Sequence, residues 1–259
     1  MVDNLKIVDI VSNEISSRSN QTLNVVKSVD RVKTGIVGFD GLIEGGFEKN
    51  SSVLLVGSAG TGKTLFSLEF LYKGITEFDE NGVFISFEES KNSLYTHSLQ
   101  FGWDFAKLEA EKKFRFLSFK PHQVTSIIEE GGAQIKDVLT EINAKRIVID
   151  SITAYSLLFS DEYKQREKVL EIFNLLNRWG VTSMVVVEKS PFEFEGKEGS
   201  LAFIADAVIS LFYNHDEEKG LRIHALEILK MRGTNHTNKI CAMSFEDDGI
   251  VIYPDVEVF

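Results

Sequence analysis

The chain has 259 residues, 43% of them hydrophobic and 26% charged, a mix that excludes a disordered or fibrous protein. A formal net charge of -11 weighs against a simple electrostatic grip on nucleic acid or anionic lipid. The lone Cys241 excludes an internal disulfide and a multi-cysteine metal site.

The chain starts Met1-Val2-Asp3-Asn4-Leu5, without a signal peptide's basic and apolar regions, and no apolar run approaches about 18 residues. A soluble, cytoplasmic protein is expected. Leu5, Val8, Val11 and Ile15 fall near helical spacing beside the polar stretch 12–21, which predicts a weak amphipathic helix and a linker over residues 1–30. From there one α/β domain is expected over 31–259. Strands are predicted at 52–56, 83–87, 146–150 and 182–187. Helices are predicted at 64–75, at 127–142 with an interruption near Gly131-Gly132, and at 164–179. Continuous apolar strands alternating with helices predict a mostly parallel sheet covered on both faces. After Asp206 the rhythm changes to strands at 208–213, 221–233, 239–246 and 250–253 joined by short turns such as Asp248-Gly249. These predict an antiparallel C-terminal extension of the same sheet.

The chemistry concentrates at Gly57-Ser58-Ala59-Gly60-Thr61-Gly62-Lys63-Thr64, which fits the P-loop at every required position, after a strand and before a helix. Its backbone N–H groups would surround the phosphates of ATP, Lys63 would reach the β- and γ-phosphates, and the Thr64 hydroxyl would ligate Mg²⁺. Asp150 ends a strand where P-loop sites place the acid that supports Mg²⁺; it is equally a residue type that caps a following helix. Glu88 and Glu89 follow another strand, where a carboxylate can polarise the attacking water, although an acidic pair there is also ordinary surface. Strand alternation puts Leu226, Ile228, Lys230 and Arg232 on one face, so two cations point the same way. Lysine is also common on plain edge strands.

Three further segments carry a resemblance. Thr34-Gly35-Ile36-Val37-Gly38-Phe39-Asp40-Gly41-Leu42 precedes Gly45-Gly46-Phe47 and the P-loop, and Gly82 to Glu89 and Glu227 to His236 follow. Together with Phe101-Gly102-Trp103-Asp104 and Ile149-Asp150-Ser151-Ile152-Thr153, these strongly resemble the KaiC branch of RecA-like ATPases over about residues 31–254, in particular the first of that family's two ATPase repeats. The resemblance implies a RecA-like fold, a hexameric ring with ATP between subunits, water activation by the glutamate pair, Lys230 and Arg232 reaching into the neighbour's site, and His236 among the nucleotide-binding residues. It also implies control of protein partners by nucleotide state; Lys120 to Ser126 occupies the place of a loop used by the partner KaiB. Glu48 and Asn50 replace the usual Pro and Gly before the P-loop strand, and Asn tolerates a left-handed backbone. Ala202 and Phe203 stand where the autokinase repeat has Ser and Thr acceptors, so self-phosphorylation there is not expected. The alternative is a DNA-binding recombinase paralogue, against which the loop Lys189 to Glu198 carries more acids than bases.

Overall fold

The computed structural model describes residues 29–192, 199–216 and 220–258. All of its elements belong to the unit that begins at Arg31. The helix and linker expected within residues 1–30 lie outside the described residues, apart from Val29 and Asp30.

A nine-stranded sheet forms the centre, in the order β11-β10-β9-β8-β3-β7-β6-β4-β5. Its parallel half comprises β3 (Ser52–Gly57), β4 (Gly82–Ser86), β5 (Phe114–Ser118), β6 (Arg146–Asp150), β7 (Thr182–Glu188) and β8 (Ala207–Asp216). The antiparallel half adds β9 (Leu221–Met231), β10 (Cys241–Glu246) and β11 (Gly249–Glu257) beyond β8. A separate two-stranded ribbon joins β1 (Arg31–Val32) to β2 (Phe47–Glu48). The expected strands are all present, but the strand at 208–213, expected to open the antiparallel extension, runs parallel to β3, so the change of direction falls one strand later, between β8 and β9.

The central strands are apolar throughout because each supplies two cores at once. In β3, Val53 and Leu55 enter one core while Leu54 and Val56 enter the other, and Met184 and Val186 of β7 alternate with Val185 and Val187 in the same way. The first core is covered by α1 (Lys63–Phe78), α2 (Lys91–Leu99) and α3 (Phe105–Ala110). The second is covered by α4 (Pro121–Glu129), α5 (Ala133–Glu141), α6 (Ile152–Ser156), α7 (Glu162–Trp179) and α8 (Gly199–Ile204).

The interruption near Gly131-Gly132 separates α4 from α5, with Gly132 at φ 70 directly before α5. The segment 120–126, expected as a loop, is instead the first half of α4. Pro121 occupies the first helical position, where its missing N–H costs nothing, and the Gln123 side chain accepts the Lys120 N–H. Asn50 takes φ 64, so the replacement for Gly keeps the left-handed turn before β3. The β10–β11 turn is Asp247-Asp248, one residue earlier than expected, because Glu246 pairs with Gly249. The Asp40 carboxylate closes the preceding loop, accepting from the Thr34 and Gly35 N–H groups and from the Thr34 hydroxyl.

The Arg146 guanidinium is buried between the layers. Arg146 opens β6 with its side chain fully covered, donating to Glu80 at 2.7 Å and to the carbonyls of Phe70 and Lys33. It lies over the Phe70 ring, 4.5 Å from its centroid, and Gly74 of α1 leaves room for it, since a Cβ there would come within 2.5 Å of the guanidinium.

Candidate active site

The carboxyl ends of the parallel strands meet at one edge of the sheet, and four of them deliver polar groups there. β3 runs into the glycine-rich loop, β4 into Glu88-Glu89, β6 ends on Asp150, and β7 ends on Glu188, which pairs with Gly57. Gly60 and Gly62 have φ 79 and 92, so the loop curls through backbone conformations closed to larger residues before α1 begins. A Cβ on Gly62 would also stand 2.5 Å from the Phe245 ring.

Within the loop, Lys63 Nζ donates to the Ser58 carbonyl at 2.8 Å, and the Thr61 hydroxyl donates to the same carbonyl. Thr64 Oγ1 donates to Asp150 Oδ2 at 2.7 Å, joining the two residues expected to serve Mg²⁺. Burial lowers the Lys63 pKa, against the opposing pull of Glu188 and Asp150. Burial raises Asp150 to about 6, with the Thr64 hydrogen bond and Lys63 acting downwards and Glu89 and Glu88 adding to the rise. Several carboxylates thus face one buried ammonium.

Ser86 organises the glutamate pair, its hydroxyl accepting the Glu89 N–H at 2.8 Å and the Glu88 N–H at 3.3 Å. The Glu88 side chain is exposed and makes no hydrogen bond or ion pair among the described residues. Glu89 Oε1 accepts from the Ser93 hydroxyl at 2.9 Å and lies 3.4 Å from His97 Nδ1.

This donor set suits a divalent cation bound together with phosphate. Among the described residues no three His, Cys, Asp or Glu side chains gather closely enough to hold a metal alone. Magnesium ordinarily takes one or two protein groups and completes its shell with substrate phosphates and water, which matches a Thr64–Asp150 pair beside a phosphate loop.

Lys230, Arg232 and His236 are not at this edge. β9 carries a bulge, with Val208 opposite Lys230 and Ile209 opposite Ile228. Leu226, Ile228 and Met231 consequently all enter the first core while Leu229 packs against the second, so the expected common face of Leu226, Ile228, Lys230 and Arg232 does not form. Arg232 lies just beyond the strand. Both cations nevertheless converge on the end of α8: Lys230 Nζ donates to the Ala202 and Ala205 carbonyls, and Arg232 to Phe203 O and Asp206. Burial lowers the Lys230 pKa, and Arg232 adds to that effect. The Arg232 N–H reaches Asp206 O, and the Asp206 carboxylate accepts from the N–H of Ser52, the first residue of β3. The P-loop begins at the other end of β3, so the separation along the sheet is roughly 17 Å at about 3.3 Å per residue. His236 belongs to the same distant end, where the Thr237 N–H donates to Leu42 O.

Sequence reasoning missed the neighbours of the loop on the antiparallel strands. Tyr213, His224 and Phe245 come from β8, β9 and β10: Tyr213 stacks on His224 with centroids 4.0 Å apart, and Phe245 packs tilted against His224 at 4.6 Å. His224 Nε2 lies 3.1 Å from the Gly60 carbonyl. Their assembly depends on strand register, which residue spacing does not reveal. Glu188 was visible as a strand end, and His97 as the residue two helical turns beyond Glu89. Of the loop expected at Lys189 to Glu198, residues 193–198 lie outside the described residues.

A family model described as "ATPase: KaiC" matches residues 32–257. The chain belongs to the KaiC ATPase family. Among relatives, the KaiC circadian clock oscillator protein of Prochlorococcus marinus subsp. pastoris is 34% identical over 237 residues, which is 89% of this chain and 46% of that protein. KaiC of Synechococcus elongatus is 33% identical over 253 residues, 95% of this chain and 48% of that one. The chain therefore spans about half the length of the KaiC relatives it matches. A UPF0273 protein of Aeropyrum pernix is 33% identical over 244 residues and matches over 95% of its own length. The crystal structure of a KaiC-like protein from the hyperthermophilic archaeon Pyrococcus horikoshii superposes with a TM-score of 0.77 at 40% identity, covering 87% of this chain and all of that one. The fold is accordingly RecA-like and KaiC-like, with one ATPase domain of the family carried here. Among the described residues no helix is long and apolar enough to cross a membrane.

Proposed function

We propose that this KaiC-family domain binds ATP with Mg²⁺ at Gly57–Thr64 and hydrolyses it in a ring whose sites are completed by the neighbouring subunit. The observation that carries this reading is the split of the charged groups between the two ends of β3. Lys63, Thr64, Asp150 and the glutamate pair stand at one end, and Lys230 and Arg232 at the other. Roughly 17 Å of sheet, at about 3.3 Å per residue, separates an arginine from its own phosphate loop. A second copy can close that gap through a heterologous interface, which repeats into a closed ring; a hexamer is the size the family resemblance implies.

In this reading the loop N–H groups and Lys63 hold the β- and γ-phosphates, while Thr64 and Asp150 hold Mg²⁺. The bound cation would draw charge from the phosphate oxygens and so ease transfer to water. Glu88 and Glu89 polarise and orient the attacking water. Lys230 and Arg232 leave the carbonyls at the end of α8 and, with His236, meet the neighbour's nucleotide, stabilising the charge on the departing oxygen. Nucleotide state would then be felt at every subunit contact, which supplies a means of controlling protein partners; a KaiB-like protein is the candidate class. Ala202 and Phe203 offer no hydroxyl, so the reaction is hydrolysis rather than self-phosphorylation at those positions.

The test is phosphate release from the parent, from Lys63→Ala, and from Glu88→Gln with Glu89→Gln, each beside a measurement of nucleotide binding. Lys63→Ala should weaken binding. The double glutamine variant should bind ATP and lose at least a hundred-fold in turnover, the usual contribution of a positioned base. Parental turnover in that variant would refute the assignment.

A further inference from the structure

Glu89, Ser93 and His97 recur at four-residue spacing, the interval that places side chains on one face of a helix. Ser90 caps α2 by accepting the Ser93 N–H, so the first turn is fixed where Glu89 enters it. The Ser93 hydroxyl and His97 Nδ1 both address Glu89 Oε1, at 2.9 Å and 3.4 Å. Its other oxygen has no hydrogen bond among the described residues. With its N–H on Ser86, Glu89 is held at both ends, whereas Glu88 is held by its backbone alone. Glu89 and His97 also line a cavity of about 230 Å³ between α1 and α2, and Thr64 lines its other wall. That volume holds several waters at roughly 30 Å³ each.

We propose that Ser93 and His97 are positioning residues for hydrolysis: they hold one oxygen of Glu89 so that the other faces water in the chamber beside Thr64. This rests on the glutamate pair being the hydrolytic groups. Neither residue touches nucleotide in this arrangement, so their loss affects turnover and not ATP binding. Misplacing a reacting group by about 1 Å can cost on the order of a hundred-fold in rate. A half-exposed pin of two hydrogen-bonding groups gives less, about three- to ten-fold for each residue removed. His97 Nδ1 gives Glu89 Oε1 a second polar neighbour beside the Ser93 hydroxyl. The other ionisable groups near Glu89 are Asp150, at the end of β6, and Glu88. α1 presents only Thr64, Leu65 and Leu68 to this chamber.

The experiment measures kcat and KM for ATP in Ser93→Ala, Ser93→Thr and His97→Gln, with binding of a fluorescent ATP analogue as the control for folding. The expected result is a three- to ten-fold fall in kcat for Ser93→Ala and His97→Gln at unchanged KM. Ser93→Thr, which keeps the hydroxyl, should retain parental kcat. Unchanged kcat in both Ser93→Ala and His97→Gln would overturn the inference, as would a parallel rise in KM or an equally impaired Ser93→Thr. Should the double glutamine variant of Glu88 and Glu89 be inactive while these variants behave as the parent, only the positioning roles fall. Should it hydrolyse normally, the glutamate assignment itself falls.

Discussion

Replacing Glu69 by Gln should stabilise the protein in mildly alkaline solution and do far less at pH 5. Glu69 sits in the middle of α1 with 1% of its surface exposed, and its carboxylate accepts the Ile250 N–H at 2.8 Å from β11. Burial raises its pKa from 4.5 to about 7, against the hydrogen bond from Ile250 and the attraction of Lys73, while Asp248 and Glu77 add to the rise. A raised carboxyl pKa means that the folded state holds the proton more tightly than the unfolded chain. The stability tied to Glu69 is therefore intact below about pH 4.5 and is lost progressively as pH climbs through about 7. At about 1.4 kcal/mol for each pH unit across that window, the ionised residue costs up to about 3 kcal/mol above pH 7. Glutamine keeps an acceptor for Ile250, cannot ionise, and gives up the attraction to Lys73. The net gain at pH 8 should be about 1–3 kcal/mol. Urea unfolding of parent and variant from pH 5 to 8.5 measures it, because Asp150 and the other titrating groups cancel in the difference. A variant less stable than the parent at pH 8, or a difference that does not change with pH, would refute the reasoning.

Arg146→Met should lower stability by about 3–5 kcal/mol in denaturant unfolding, because it strands Glu80 and the carbonyls of Phe70 and Lys33 beneath α1. Mg²⁺-dependent nucleotide binding should weaken as pH falls below about 6, where Asp150 gains a proton, and Asp150→Asn should remove that pH dependence; calorimetric titration at pH 5.5 and 7.5 reads both. Arg232→Ala should lose about a thousand-fold in phosphate release, or roughly 4 kcal/mol of barrier. Mixing it with the Glu88→Gln, Glu89→Gln chain should restore part of the activity, since mixed rings contain interfaces with both sets of groups intact. Two inactive chains that co-assemble without regaining activity would sink the shared site.

The parallel half of the sheet was legible because β3, β4, β6 and β7 are buried on both faces and so read as unbroken apolar runs. The stretch 91–118 was not. α2 buries only Leu94 and Ser98, and β5 is an edge strand in which Phe114 alone is buried, so neither imposes a clear period. The face of Lys230 was misread for a different reason: one extra residue in β9 reverses the alternation beyond it, and a bulge leaves no mark in the order of polar and apolar side chains. The P-loop was readable because its geometry is local. The cluster of Tyr213, His224 and Phe245 was not, because three strands must pair in register before those rings meet.

The place of β3 in the sheet also sets when the phosphate loop can exist during synthesis. Leu54 is paired on one side with Val185 and on the other with Val208, so both flanks of the strand that carries the loop come from the last third of the chain. A nascent polypeptide elongating at about 5–20 residues per second keeps Val53 to Val56 without either neighbour for roughly 6–26 s. During that interval an apolar segment with strand character is open to the wrong partners, and ATP has no assembled loop to stabilise. Nucleotide can therefore assist only the closing stage of folding, and ribosome-bound chains released before β8 emerges should aggregate whether or not ATP is present.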